Sequence, residues 1–340
     1  MTEGVRSQGT RSRGIRSQGV RRFLLRLTVS VSLLVVLAFA VDAGDVASRL
    51  SRMDPRWVGL GLVVSVGQVL VSAWRWRFTA SRLGLRLPLG TAVAEYYLAT
   101  FLNQVLPGGV LGDVSRAWRH ARKARGDDRP EGSASGGLRS IHAVVLERAS
   151  GQMVMVAVAA AAAVVLLVPG AGPAFPHHPL AEVSTTVTGG VVTVGVAVVV
   201  GMAWLLVRQV VHVPAFGGFL GHARRALLGS ALPVQLALSL VVVGSYVAVF
   251  LVAARAVGVS TPWSVLLPLV PLLLVTMLVP LSVAGWGVRE GTAALLWGAV
   301  GLTATEGVAV SVAYGLLILV SSLPGAAVVL LTLRSDVDGH

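Results

Sequence analysis

Six apolar runs, each about long enough to cross a bilayer as a helix, set the frame for this chain: 23–41, 57–73, 141–168, 187–207, 231–254 and 307–331. A hydrocarbon layer about 30 Å thick is spanned by about 20 helical residues. Inside it, backbone N–H and C=O groups must be paired within the protein, so chain at that depth is helical wherever lipid touches it. Hydrophobic residues make up 55% of the chain and charged residues only 13%, whereas soluble domains carry about 25% charged residues. No polar region is long enough to form a separate soluble domain. The expected fold is an all-α polytopic membrane protein whose membrane domain covers residues 23–332.

Two further apolar stretches are interrupted. The first, 88–106, runs into Asn103-Gln-Val-Leu-Pro107-Gly108-Gly109-Val-Leu-Gly112-Asp113-Val-Ser-Arg116. The second, 263–280, runs into Pro280-Leu-Ser-Val-Ala-Gly285-Trp-Gly287-Val-Arg289-Glu290. Proline and glycine break a helix, and a broken helix at membrane depth is tolerated only inside protein or beside a polar cavity. The first stretch has strongly basic flanks on both sides, and one full crossing would place one of them outside, against the positive-inside rule. A re-entrant helical hairpin that turns at Pro107–Gly112 satisfies the rule. Pro107, Gly112 and Arg116 have the spacing of Pro280, Gly285 and Arg289. The spans around the two stretches run in opposite senses. The reading is therefore about six full spans plus two re-entrant hairpins in an inverted-topology repeat, an arrangement in which transporters place substrate sites on broken helices near the midplane.

Charge orients the chain. The net charge of +13 is almost all arginine, concentrated at what become cytoplasmic loops, and this explains it better than nucleic-acid binding does. Residues 1–22 repeat an Arg-Ser-x-Gly pattern, cannot build a core, and are expected to be a disordered basic cytoplasmic tail, with 333–340 a second cytoplasmic tail. Residues 42–56 lack a basic excess and suit an outer loop. Trp74-Arg75-Trp76-Arg77 reads as an interfacial anchor with no part in a site. Residues 126–140 read as a flexible cytoplasmic loop. His177-His178 in the loop 169–186 lacks further ligands, and no metal site is expected. The chain contains no cysteine, which excludes disulfides and thiolate chemistry.

The chemistry concentrates at the two breaks. Glycines after a proline, followed by a helix start, present backbone N–H groups and a positive dipole to an anion such as phosphate. Arg116 and Arg289, one turn on, can add a bidentate contact. Asp113 caps the returning helix, pairs with Arg116, or meets a cationic headgroup. Glu147-Arg148 and Arg289-Glu290 offer the same mixture of signs, which suits a zwitterionic or aminoacylated phospholipid headgroup. Charge inside a membrane is costly and marks function or pairing. Hydrolase, metalloprotease, nucleotide-binding and dinucleotide-binding motifs are missing, so neither an enzyme nor a cofactor is expected.

Taken together, Asn103-x-x-Leu-Pro107-Gly108-x-x-x-Gly112-Asp113-x-x-Arg116-Ala117, Glu147-Arg148 and Pro280-x-x-x-x-Gly285-x-Gly287-x-Arg289-Glu290-Gly291 resemble the lysylphosphatidylglycerol synthase transmembrane (flippase-like) family, the membrane half of the bacterial multiple peptide resistance factor. The resemblance covers roughly residues 23–332. It implies translocation of a phospholipid or other lipid between leaflets of the cell membrane. The headgroup route would pass Asn103, Pro107, Gly108, Gly109, Gly112, Asp113, Arg116, Glu147, Arg148, Pro280, Gly285, Gly287, Arg289 and Glu290. Some relatives sit beside glycosyltransferases, so the alternative is a lipid-binding membrane subunit that assists a separate transferase or synthase. The soluble aminoacyl-transferase half is missing, so synthesis of lysyl-lipid is not implied. The second motif reads Pro-Leu-Ser-Val-Ala-Gly where the family pattern is richer in glycine.

Overall fold

The computed structural model describes residues 21, 24–106, 111–126, 133–167, 216–278 and 284–337. The expected span 187–207, the expected loop 169–186, nearly all of the expected basic tail, and Pro107, Gly108, Gly109 and Pro280 lie outside the described residues. Every regular element among the described residues is helical.

The first apolar run forms α1 (Leu24–Ala40), which turns by 99° into α2 (Ala43–Ser51). Residues 42–56, expected as a loop, hold this short helix because Asp42 caps it: its side chain accepts from the Asp45 N–H at 3.0 Å. Asp54 then accepts from the Arg56 N–H at 2.8 Å, and Pro55 occupies the first helical position of α3 (Pro55–Arg82). An acid cap followed by proline is a strong helix start, since both answer for donors the first turn leaves unpaired. After α3 come α4 (Leu89–Val105), α5 (Leu111–Gly126) and α6 (Ser133–Leu167). Residues 133–140, expected to be loop, extend α6 instead. The chain continues with α7 (Phe216–Leu227), a 3-10 turn at Gly229–Ala231, and α8 (Leu232–Ala256). The short α9 (Trp263–Leu266) and α10 (Leu269–Thr276) precede α11 (Val288–Ala299), α12 (Ala304–Ser322) and α13 (Pro324–Val337). Only a single turn residue, Leu323, separates α12 from α13, and the last expected span runs across both.

Four helical stretches are long and apolar enough to cross a membrane: Pro55–Arg82, Gly136–Leu166, Gly229–Ala256 and Ala304–Leu330; the bent α1–α2 pair makes a fifth if it counts as one span. The protein is a multi-pass membrane protein. Large apolar side chains such as Val63, Met153, Leu240, Val241 and Leu295 stay exposed. Lipid is the solvent in which that exposure costs nothing.

Two buried clusters organise the packing. One gathers Phe250, Leu273, Trp297 and Tyr314 from α8, α10, α11 and α12. The other gathers Trp76, Ala92, Ala117, Leu146 and Phe219 from α3 to α7. Each interrupted stretch falls between two short helices that pack on each other, α4 on α5 and α10 on α11. The last helix closes onto the first of these pairs: at Gly325, α13 approaches the backbone of Tyr97 so closely that a Cβ would fall on its carbonyl.

A candidate site of buried ion pairs

At the start of α5 the N-terminal N–H groups need partners. Asn103, near the end of α4, supplies one: its Oδ1 accepts from the Gly112 N–H at 2.8 Å. Its Nδ2 donates to Asp113 Oδ2, also at 2.8 Å. The two helices are so close that a Cβ on Gly112 would strike the Ala99 carbonyl; glycine is required there for space. Asp113 does not act as a lone cap. It pairs with Arg116 at 2.9 Å and with Arg148 of α6.

Arg116 is fully buried. Its Nη2 donates to Asp113 Oδ1 at 2.9 Å and to Glu147 Oε2 at 3.1 Å. Its guanidinium lies over the rings of Trp76 and Tyr96, 4.5 and 4.4 Å from their centroids, which stabilises a cation that water does not reach. Glu147, 1% exposed, accepts on Oε1 from Arg75 Nε at 3.1 Å, Arg75 Nη2 at 2.5 Å and Tyr96 OH at 3.1 Å. Arg75 also donates to Ser239 of α8 at 3.0 Å. Gly151, one turn beyond Glu147, leaves the space the Arg75 guanidinium occupies. A buried ion group persists only when the opposite charges and their hydrogen bonds are both supplied; here helices α3 to α6 and α8 supply them together.

The second group is simpler. Arg289 Nε and Nη2 donate to Glu290 Oε1 at 3.0 and 2.5 Å, and Nε also donates to Ser311 Oγ at 2.9 Å. Glu290 Oε2 accepts from the Gly287 N–H at 2.7 Å, closing the first turn of α11. Arg289 stacks over Trp286 and Tyr314. The turn before α11 takes left-handed backbone at Ala284 (φ 49°), Gly285 (φ 83°) and Gly287 (φ 88°). Ala284 stands in the segment where a more glycine-rich run was expected, and its conformation costs about 1–2 kcal/mol. Gly287 also faces α1: a Cβ there would lie 2.7 Å from Leu33 Cβ.

Tyr246 of α8 connects the groups. It lies near Gln68 and within electrostatic reach of Arg148, Arg75 and Glu147. Tyr314 in turn lies within reach of Tyr246 and of Arg289.

Of the residues singled out from sequence, Asn103, Gly112, Asp113, Arg116, Glu147 and Arg148 are brought together, and Gly285, Gly287, Arg289 and Glu290 form the second group. Pro107, Gly108, Gly109 and Pro280 are outside the described residues. Arg75 corrects the sequence reading. It was expected as a surface anchor, yet it is 4% exposed, and its neighbour Trp76 is fully buried. Helix α3 runs on to Arg82, and successive side chains turn by about 100° per residue, so Trp74 and Arg77 face outward while Arg75 and Trp76 face in. The available signal was the spacing of Ser65, Ser72 and Thr79, all buried and seven apart, which marks a polar inner face that includes Arg75. Tyr96, Ser239 and Tyr246 were also missed, because an isolated hydroxyl in an apolar run has no distinctive pattern.

A protein-family model described as Lysylphosphatidylglycerol synthase TM region matches residues 23–325. A search of curated proteins and a search of solved structures returned no match.

Proposed function

The chain belongs to the lysylphosphatidylglycerol synthase TM region family, and from that membership and the buried charges we propose that it moves a phospholipid or another anionic or zwitterionic lipid between the leaflets of the cell membrane. The observation that carries the reading is the burial and sign of the charge. Three arginines and two carboxylates meet where α5, with Asp113 and Arg116, packs against the membrane-length helices that carry Arg75, Glu147 and Arg148. Charge of that kind inside a membrane protein is expensive and accompanies an ion or substrate route. In this reading the headgroup passes along the two polar groups while the acyl chains stay in the bilayer. The interrupted stretches act as two re-entrant hairpins of an inverted repeat, the basic N-terminal tail is cytoplasmic, and the chain itself catalyses no bond change.

The test is leaflet exchange of a fluorescent phospholipid in proteoliposomes holding the full chain. Arg116→Ala and Arg289→Ala each abolish exchange while the protein still expresses and runs as a single species in detergent. Unchanged exchange rates in both variants would remove these arginines from the route.

A further inference from the structure

The two buried ion groups do not use every charge the fold gathers. Another polar concentration lies where membrane-length helices end together. Pro55 starts α3, Ala256 ends α8, and the Asp54 N–H donates to the Ala256 carbonyl at 2.9 Å. The Asp42 N–H reaches Thr305 Oγ1, near the start of α12, at 3.4 Å. At the other end of α3, Arg82 donates to Ser230 at 2.6 Å, just ahead of α8. The first set of ends therefore lies on the membrane face opposite to Arg82. Helix α2 crosses these ends, because the chain turns by 99° between α1 and α2. Leu50, with Met53 beyond it, packs on the cluster of Phe250 and Trp297. Asp45, Ser48, Arg49 and Arg52 fall at the spacing of a single helical face. That face lines a pocket whose remaining wall is Asp54, Arg255 and the turn 256–258.

The charges of the pocket are only partly spent on each other. Arg49 pairs with Asp45 at 2.8 Å. Arg255 donates to the Val259 carbonyl and lies 5.4 Å from the Trp263 ring centroid. Asp54 accepts the Arg56 N–H on Oδ1. Among the described residues, Arg52, Asp54 and Arg255 form no ion pair. With Glu306, which lies near Arg49, arginines and carboxylates at the pocket are equal in number. The pocket is thus neutral as a whole, yet it holds two guanidinium groups and one carboxylate without ionic partners. Guanidinium groups take phosphate oxygens, and a carboxylate takes an ammonium. A metal cation would meet three arginines, and a bare phosphate would leave Asp54 facing it. A ligand that carries both signs satisfies all three groups.

We infer that this pocket holds a phosphate–ammonium zwitterion, with the phosphate on Arg52 and Arg255 and the ammonium on Asp54, and that the ligand is the headgroup of phosphatidylethanolamine in the adjoining leaflet. Helices of membrane length frame the pocket, so it stands at headgroup level. Ser311, which contacts Arg289, is seven residues past Ala304, about 10 Å deeper along α12. The pocket rests on the lipid-translocation reading for its place on a route, but its headgroup preference does not.

The experiment separates the two. The full chain, purified in detergent, is offered equal amounts of phosphatidylethanolamine and phosphatidylglycerol, and retained lipid is measured by native mass spectrometry. Phosphatidylethanolamine is preferred by about two- to fivefold, the range for one partly exposed ion pair. Asp54→Asn removes the charge and keeps the helix cap, since asparagine caps as well as aspartate; it brings the ratio to about one. Arg52→Gln lowers retention of both lipids. Equal retention by the unaltered protein, or a preference that survives in both variants, overturns the inference. Free glycerophosphoethanolamine at equal concentration leaves the lipid in place; displacement by it would overturn a lipid as the source of the zwitterion. A preference that depends on Asp54, without leaflet exchange in proteoliposomes, sustains the inference and removes translocation instead.

Discussion

Glu147→Gln is the sharpest probe of the buried charges. In the structure Glu147 accepts from Arg75 Nη2 at 2.5 Å, from Arg75 Nε and Tyr96 OH at 3.1 Å, and from Arg116 Nη2 at 3.1 Å. The carboxylate is 1% exposed, and both guanidinium groups are almost wholly buried. Glutamine is nearly isosteric, so packing is preserved and only the charge is removed. Arg75, Arg116 and Arg148 then share the site with Asp113 as the one remaining carboxylate. One amide nitrogen also turns toward a guanidinium donor, where neither can accept. Removing one partner of a buried ion pair costs about 3–5 kcal/mol; the amide oxygen keeps the Oε1 place, with Arg75 and Tyr96 as donors, and the lost contact is that of Oε2 with Arg116. The assay is equilibrium unfolding in mixed micelles, run beside the double variant Glu147→Gln with Arg75→Gln. The double variant returns the group to its original net charge and should recover more than half of the single variant's loss, since contacting charges couple strongly. A single variant within about 0.5 kcal/mol of the parent protein, the range of ordinary surface substitutions, would refute the burial of this carboxylate and the electrostatic argument built on it.

Two glycines give a paired test of helix approach. Gly112→Ala puts a Cβ onto the Ala99 carbonyl, a backbone group that cannot rotate away, and should cost about 1–3 kcal/mol as α4 and α5 separate. Gly67→Ala in α3 meets nothing within 4 Å and should be neutral or stabilising by up to about 1 kcal/mol. Thermal unfolding of both in one detergent checks the contrast. On α7, outside the membrane-length helices, His222 Nδ1 lies 2.7 Å from His142 Nδ1. Burial, with Arg225 and Arg139 nearby, holds the His222 imidazole below its ordinary pKa. The unfolded chain therefore takes up this proton first. The contribution to stability is full above about pH 6.5, the ordinary histidine value, and is lost as pH falls through the folded pKa. A melting profile from pH 8 to pH 5 that flattens in His222→Gln checks this; an unchanged slope in that variant counts against it.

Much of the architecture was present in the chain before any coordinates. Apolar runs of span length, in a medium that forbids unpaired backbone, leave helices as the outcome, although residues 42–56, read as a loop, hold the helix that Asp42 caps and the start of α3 at Pro55. The two interruptions were legible because proline and glycine act on their own backbone. Glu147-Arg148 and Arg289-Glu290 were conspicuous because charge is rare in such segments. What local reasoning could not supply was orientation around each helix axis. Trp74-Arg75-Trp76-Arg77 has the composition of an interfacial anchor, and only packing against α6 and α8 decides that Arg75 turns inward to Glu147 and Ser239 while Arg77 turns out. The partners of Arg116 follow the same logic. Asp113 is three residues away and predictable from helix periodicity, whereas Trp76, Tyr96 and Glu147 arrive from three other helices. Sequence thus determined which segments are long and apolar enough to cross a membrane, because that depends on the solvent each segment needs. The tertiary structure alone decided which charges neutralise each other and which donors stay open, because that depends on distances between segments far apart in the chain.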